Sequence, residues 1–197
     1  MKKFLFSRRA FCAGAVLASF VALPAPAALA NTASSCPSML ITQPFASYGD
    51  NSYYTMAPGQ GADSFDGTGW TLAGGAQIVT TTMDDGNTGS VLDLPPGSSA
   101  TSPVMCVQSG MPLARMITRM VGGPKSNATV FQAWNSGGTP LNGAMGVLGQ
   151  TSWALSPPVN VAPGSWSGTK EVYFTFTMKA KSGDLQLYDF AIDPRMW

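Results

Sequence analysis

No histidine occurs anywhere in the 197-residue chain. Without an imidazole there is no Ser-His-Asp triad, no Cys-His dyad and no His-ligated zinc or haem, because each uses that ring as proton carrier or ligand. Charge is scarce as well, with 11 Lys and Arg against 10 Asp and Glu. Glutamate occurs once, as Glu171. Hydrolysis by paired carboxylates would draw on that residue and on nine Asp, of which Asp63, Asp66, Asp84, Asp85 and Asp184 stand in predicted turns. Glu171 takes the outward phase of a strand beside Lys170, the position of a solvated sheet face rather than of a general acid. Asp93 faces away from its neighbours Leu92 and Leu94, and no motif marks a cross-strand site around it. The chain is therefore read as non-enzymatic. Helix signals are also nearly absent after residue 30: no stretch keeps apolar residues at i, i+3, i+4 and i+7 for three turns without interruption.

The first 30 residues read as an export signal. A basic start (Lys2, Lys3, Arg8, Arg9) precedes an apolar run from Ala10 to Leu23 and the small-x-small stop Ala28-Leu29-Ala30. Within it, Ser7-Arg8-Arg9-Ala10-Phe11 resembles the twin-arginine pattern. The apolar run is shorter than the ~20 residues of a membrane span and ends at Pro24 and Pro26, so no anchor is expected. Cleavage after Ala30 leaves a chain destined for secretion or the exterior of the cell envelope.

What remains carries 7 basic and 10 acidic groups, a net charge of −3. Its cations (Arg115, Arg119, Lys125, Lys170, Lys179, Lys181 and Arg195) are scattered, which excludes the dense basic face of a nucleic-acid partner. Two cysteines survive cleavage, Cys36 and Cys106, and an isolated pair in an exported chain is read as one disulfide. Closing that loop of roughly 70 residues would contribute about 4 kcal/mol in the chain-entropy picture. It would tie an N-terminal arm, residues 31–62, to a single domain at 63–197.

Strand signals fill that domain. From Lys170 to Met178, Val172, Phe174, Phe176 and Met178 alternate with Glu171, Tyr173, Thr175 and Thr177, the pattern of a half-buried antiparallel strand. Further strands are predicted at 39–43, 53–56, 65–72, 76–82, 90–94, 100–107, 113–121, 128–134 and 185–192. Turn clusters separate them, among them Gly74-Gly75, Asp84-Asp85-Gly86-Asn87, Pro95-Pro96-Gly97 and Gly122-Gly123-Pro124. About ten short strands at this spacing predict an all-β fold, a two-sheet antiparallel β-sandwich. In the last strand Leu185 and Leu187 share one phase and Phe190 and Ile192 the other, so a bulge near Tyr188-Asp189 is expected to turn both pairs into the core.

Three segments, in this order, resemble a known family. Ala62-Asp63-Ser64-Phe65-Asp66-Gly67-Thr68-Gly69-Trp70 looks like the opening of galactose-binding-like jelly rolls, among them many carbohydrate-binding modules. Gly89-Ser90-Val91-Leu92-Asp93-Leu94 with Ser102-Pro103-Val104-Met105-Cys106-Val107 is similar to their central strand pair. Leu187-Tyr188-Asp189-Phe190-Ala191-Ile192 is similar to their final strand. The chain as a whole is also similar to a group of small exported bacterial proteins. The resemblance implies a jelly-roll sandwich and, at Asp66 and Asp189, the carboxylates that flank a structural calcium ion in that family. The chain departs from the family where Asp66 replaces a longer Glu and where Tyr188 takes the first of two Asp positions.

The expected activity is binding. A Trp or Tyr ring packs on the apolar face of a sugar while amides and carboxylates bond its hydroxyls. With Trp70, Phe174 and Phe176 assigned to the core, the candidate binding residues are Tyr53, Tyr54, Gln132, Trp134, Trp153 and Trp166, with Tyr173 and Asn135 nearby in the pattern. Trp153 and Trp166 lie in a loop-like stretch rich in Pro, Ser and Gly. The expected partner is a carbohydrate or a glycan of a cell envelope. The alternative is an exported structural or protein-interaction sandwich of the same fold, since a fold does not set a function.

Overall fold

The structure is a computed structural model. It describes residues 40–61, 64–108, 111, 113–122, 129–135, 138–141, 145–147, 150–161, 169–178 and 183–193. The signal segment, Cys36 and Trp166 lie outside the described residues.

Among the described residues sixteen strands follow one another. The first eight are β1 (Ile41–Thr42), β2 (Tyr54–Met56), β3 (Gln60–Gly61), β4 (Ser64–Phe65), β5 (Thr71–Ala73), β6 (Gln77–Thr82), β7 (Thr88–Leu94) and β8 (Ser99–Thr101). Then come β9 (Met105–Gln108), β10 (Leu113–Met120), β11 (Thr129–Asn135), β12 (Met145–Val147), β13 (Ala154–Leu155), β14 (Val159–Asn160), β15 (Thr169–Met178) and β16 (Leu185–Ile192). A 3-10 turn at Ala46–Tyr48 is the one helical element among the described residues.

The named strands form two sheets, antiparallel apart from the pairing of β4 with β7, and so make the expected all-β sandwich. The first sheet has β6, β7, β16 and β10 as its body, with β13 and β14 beyond β10. The short strands β1 to β4 attach to it through β16 and β7. The second sheet runs β12, β11, β15, β8, β5, with β9 also on β15. Between the sheets the leucines of β7 and β16 (Leu92, Leu94, Leu185, Leu187) pack with Met116, Met120, Phe131, Ala133 and Val172. Trp70 lies in this same core, as expected, with its ring tilted against Phe65 at 4.9 Å.

Two predicted strands are each divided in two. The segment 65–72 is interrupted by Gly67 and Gly69, whose φ of 72° and 80° no strand accommodates. The turn they form carries the chain from the first sheet (β4) to the second (β5). The segment 100–107 breaks at Pro103, which has no N–H for a ladder, and both halves pair with β15. Strands β3, β12, β13 and β14 were not predicted; three of them are two residues long and one three, too short for a period-2 pattern to register.

The bulge in β16 forms where the phase change requires it. Pairing with β10 runs Gln186↔Arg119, Leu187↔Thr118, Tyr188↔Ile117 and then shifts to Ala191↔Arg115. Asp189 takes φ 49° at the shift, and Leu185, Leu187, Phe190 and Ile192 all reach the core between the sheets. Gln60 braces the irregular backbone: its Nε2 donates to the Phe190 carbonyl, and its Oε1 accepts from the Phe190 N–H at 3.1 Å. Every residue of β16 is buried, so this strand lacks the solvated face common in antiparallel sheets.

Burial on the outer face comes from a second cluster. Phe45, Tyr54 and Met56 from the N-terminal arm cover Val91, Ile117, Tyr188 and Ala191. The arm is held by polar contacts as well. Asp50 meets Arg115 of β10 at 2.5 Å and accepts from the Tyr54 hydroxyl at 2.6 Å, while Arg115 also donates to the Ser156 carbonyl. Burial pushes Asp50 up, but hydrogen bonds from Tyr54, Ser52 and Arg115 outweigh it and hold the carboxyl below its usual range. Burial and the Asp50 carboxylate together push Tyr54 up to about 12.

Candidate binding face on the first sheet

The part of the outer face that the arm leaves uncovered carries a polar row. Leu92 and Leu94 point inward, so Asp93 between them points out; Leu185 and Leu187 do the same for Gln186. The register then aligns four side chains across four strands: Gln77 opposite Asp93, Asp93 opposite Gln186, Gln186 opposite Arg119. They are bonded in series. Gln77 donates to Asp93 Oδ2 at 3.4 Å, and Gln186 Nε2 donates to Asp93 Oδ1 at 2.9 Å. Arg119 donates to Gln186 Oε1 from Nε at 2.9 Å and from Nη2 at 2.8 Å.

The same arginine shows that this face is concave. β10 and β6 lie three strand spacings apart, about 14 Å in a flat sheet. Yet Arg119 Nη2 also donates to Thr81 Oγ1, and Nη1 reaches the Thr82 carbonyl at 3.5 Å. Only a sheet curled toward this side lets one side chain bridge those strands. Trp153, in the segment before β13, closes one end of the hollow. Its ring lies 4.4 Å from the Arg119 guanidinium carbon, and its Nε1 donates to the Thr82 carbonyl at 2.9 Å. It meets Tyr188 edge-on, with centroids 4.9 Å apart at 86°.

Beneath Trp153, Tyr188 donates to Asp84 Oδ1 at 2.5 Å. Burial, then the hydrogen bond to Asp84, pushes the Tyr188 phenol far above its usual range, and Tyr48 of the arm is raised as well, chiefly by burial. Burial also lowers Arg119 from its ordinary value, a shift that the charge of Asp93 opposes.

The residues singled out from the sequence are not gathered into one site. Among the described candidates Trp153 alone stands at this face. Tyr54 is 3% exposed, part of the cluster under the arm, so it presents no ring to a ligand. Tyr53, Leu40 and Ile41 are exposed on the arm. Gln132 and Trp134 lie on β11 of the other sheet, alternating with the core residues Phe131 and Ala133; they are partly buried. Asp66 is exposed, and its Oδ1 accepts from the Thr68 N–H at 2.6 Å, a turn contact that lowers its pKa. Asp189 is buried beside Tyr48. Among the described residues no group of three His, Cys, Asp or Glu could hold a metal ion. Cys106 is buried in β9.

The row Gln77, Asp93, Gln186 and Arg119 was missed by sequence reasoning. A signal was present in the two Leu-polar-Leu triplets, Leu92-Asp93-Leu94 and Leu185-Gln186-Leu187. That these triplets lie side by side in register is a fact of pairing that neither triplet carries alone.

No family model matches the chain, and no curated protein does. Among solved structures it is similar to the CBM22-1 xylan-binding domain of Paenibacillus barcinonensis Xyn10C, at 11% identity and TM-score 0.44, covering 72% of this chain and 94% of that one. It is similar to CsCBM6-3 of Clostridium stercorarium in complex with cellobiose, at 18% identity and TM-score 0.41, over 64% and 87% of the two chains. A third is the module CBM6cm-2 of Cellvibrio mixtus lichenase 5A in complex with cellotriose, at 17% identity and TM-score 0.42, over 62% and 88%. Among the described residues no helix is long and apolar enough to cross a membrane.

Proposed function

We propose that this chain is a non-catalytic carbohydrate-binding module that receives its ligand on the concave outer face of the first sheet. The observation that carries the reading is the polar row Gln77, Asp93, Gln186 and Arg119 beside the Trp153 indole, on a strand framework whose opposite face packs into the hydrophobic core. Carboxylate and amide groups at fixed spacing suit the hydroxyls of a pyranose, and an indole wall suits its C–H face. Trp153 is a half-buried wall, braced by Arg119, rather than an open platform.

Export belongs to the same proposal, supported by the basic, apolar and small-residue succession of the first 30 residues. So does the Cys36–Cys106 disulfide, which mass spectrometry of the non-reduced mature protein would register as a linked peptide pair. A structural calcium on Asp66 and Asp189 is tested by the thermal midpoint: a rise with calcium that Asp66→Asn abolishes retains it, and a midpoint unmoved by calcium or EDTA removes it.

Calorimetric titration of the mature protein against plant and envelope polysaccharides tests the function. Saturable binding that Asp93→Ala and Trp153→Ala each weaken at least about tenfold, with folding intact, upholds the site; tenfold is about 1.4 kcal/mol. The exposed apolar side chains Leu40 and Ile41, adjacent on the arm, favour the second reading, a protein-interaction sandwich. No heat with any glycan from the folded protein would leave that reading standing alone.

A further inference from the structure

An arginine in a binding hollow invites the reading of an anion receptor, but its bonding here argues otherwise. A guanidinium has five N–H donors, and recognition of a carboxylate or sulfate uses two parallel ones. Four of the five are directed at protein acceptors: Nε at Gln186, Nη2 at Gln186 and Thr81, and Nη1 at the Thr82 carbonyl. No parallel pair is left to form a fork. Trp153 lies against the guanidinium, 4.4 Å from Cζ to the ring centroid. The charge is balanced within the row, because Gln186 links Arg119 to Asp93 by an unbroken chain of hydrogen bonds. The nearby Asp84, bonded to Tyr188, adds a further negative charge behind Trp153.

We infer that this face takes an uncharged polyhydroxylated ligand, and that Arg119 is a positioning residue that sets Gln186 and Trp153 rather than a receptor for anionic sugars. The inference rests on the binding face proposed above. The groups left to meet the ligand are the exposed Gln77 amide and the Asp93 carboxylate, each of whose oxygens has a lone pair beyond its bond to Gln77 or Gln186. A carboxylate in that position accepts from the hydroxyls of a neutral sugar and repels a uronate or a sulfate.

The test pairs neutral and acidic polymers of related backbone: galactan with polygalacturonate, and arabinoxylan with glucuronoxylan. The expected result is binding to a neutral member whose Kd changes less than about twofold between about 20 and 500 mM NaCl, since no charge on the ligand is there to be screened. Arg119→Lys separates the two roles of the arginine. The cation is kept and the fork geometry lost. If Arg119 positions its neighbours, lysine does not rescue: neutral binding falls at least about tenfold and the Trp153 emission shifts as its cation contact changes. Tighter binding to the acidic member, weakening steeply with salt and kept in Arg119→Lys, would overturn the inference while leaving a carbohydrate site in place. Silence with all four polymers from the folded protein would overturn the binding face and this inference with it.

Discussion

Removing the Gln60 side chain should weaken the fold well beyond what a partly exposed glutamine normally costs. The bulge at Asp189 takes Phe190 out of regular pairing with β10, and the Gln60 amide supplies what a neighbouring strand would have supplied, one donor and one acceptor. In Gln60→Ala the Phe190 carbonyl keeps its bond from the Ala57 N–H at 3.0 Å, but the Phe190 N–H loses Gln60 Oε1 in a fully buried strand. An orphaned buried donor costs about 1–3 kcal/mol and the second bond at the carbonyl about 1, so a loss of about 2–4 kcal/mol is expected. For a domain of this size that lowers the thermal midpoint by about 4–16 °C. Urea unfolding followed by tryptophan fluorescence measures it, with an unchanged m-value showing that the same surface is exposed. A loss below about 0.5 kcal/mol in Gln60→Ala would refute the claim that this amide stands in for a strand, since that is the range of an ordinary surface substitution.

Other consequences follow from the same contacts. Asp50 has a lowered folded pKa, so the stability it contributes is present above the unfolded value near 4 and is lost as pH falls through the folded one; Asp50→Asn should flatten that acid limb in pH-dependent melts. Tyr54 is raised to about 12, so its contribution is complete below the model-peptide value of 10.0 and is lost as pH rises toward 12; Tyr54→Phe should remove that alkaline slope. Gly59→Ala should be far more costly than Gly86→Ala, as measured by urea midpoints. Both have positive φ, 78° and 84°, but a Cβ at 59 would stand 2.5 Å from the Thr68 carbonyl oxygen and one at 86 would meet nothing within 4 Å. The strain common to both is about 1–2 kcal/mol, and the collision at 59 adds to it. Arg115→Met, which leaves Asp50 partly buried without its cation, should cost about 1–3 kcal/mol and loosen the arm, read as faster amide exchange across residues 45–56.

The β-class was legible because strand periodicity is local. Leu185 to Ile192 was bounded correctly, and even its bulge was readable, since two apolar pairs in opposite phase within eight residues cannot face one core without an extra residue between them. The turn at Asp84-Asp85-Gly86-Asn87 was readable for the same reason: Asp85 bonds the Asn87 N–H within its own hairpin. Aromatic content was a poorer guide to the binding face. Tyr54 carries the same ring whether it fills the space under an arm or faces solvent, and only the arm's closure over Ile117 and Tyr188 decided which.

Composition and local pattern thus determined the class of fold, the positions of most strands and turns, and the exclusion of imidazole chemistry, because each depends on residues close in the chain. Tertiary structure alone decided the proposed binding face. Gln77, Asp93, Arg119 and Gln186 come from four separate strands, and they meet only after strand order and register have been set by burial of the leucines on the opposite side. The curl that brings Arg119 across to Thr81, and with it the position of Trp153, is a property of the whole sheet.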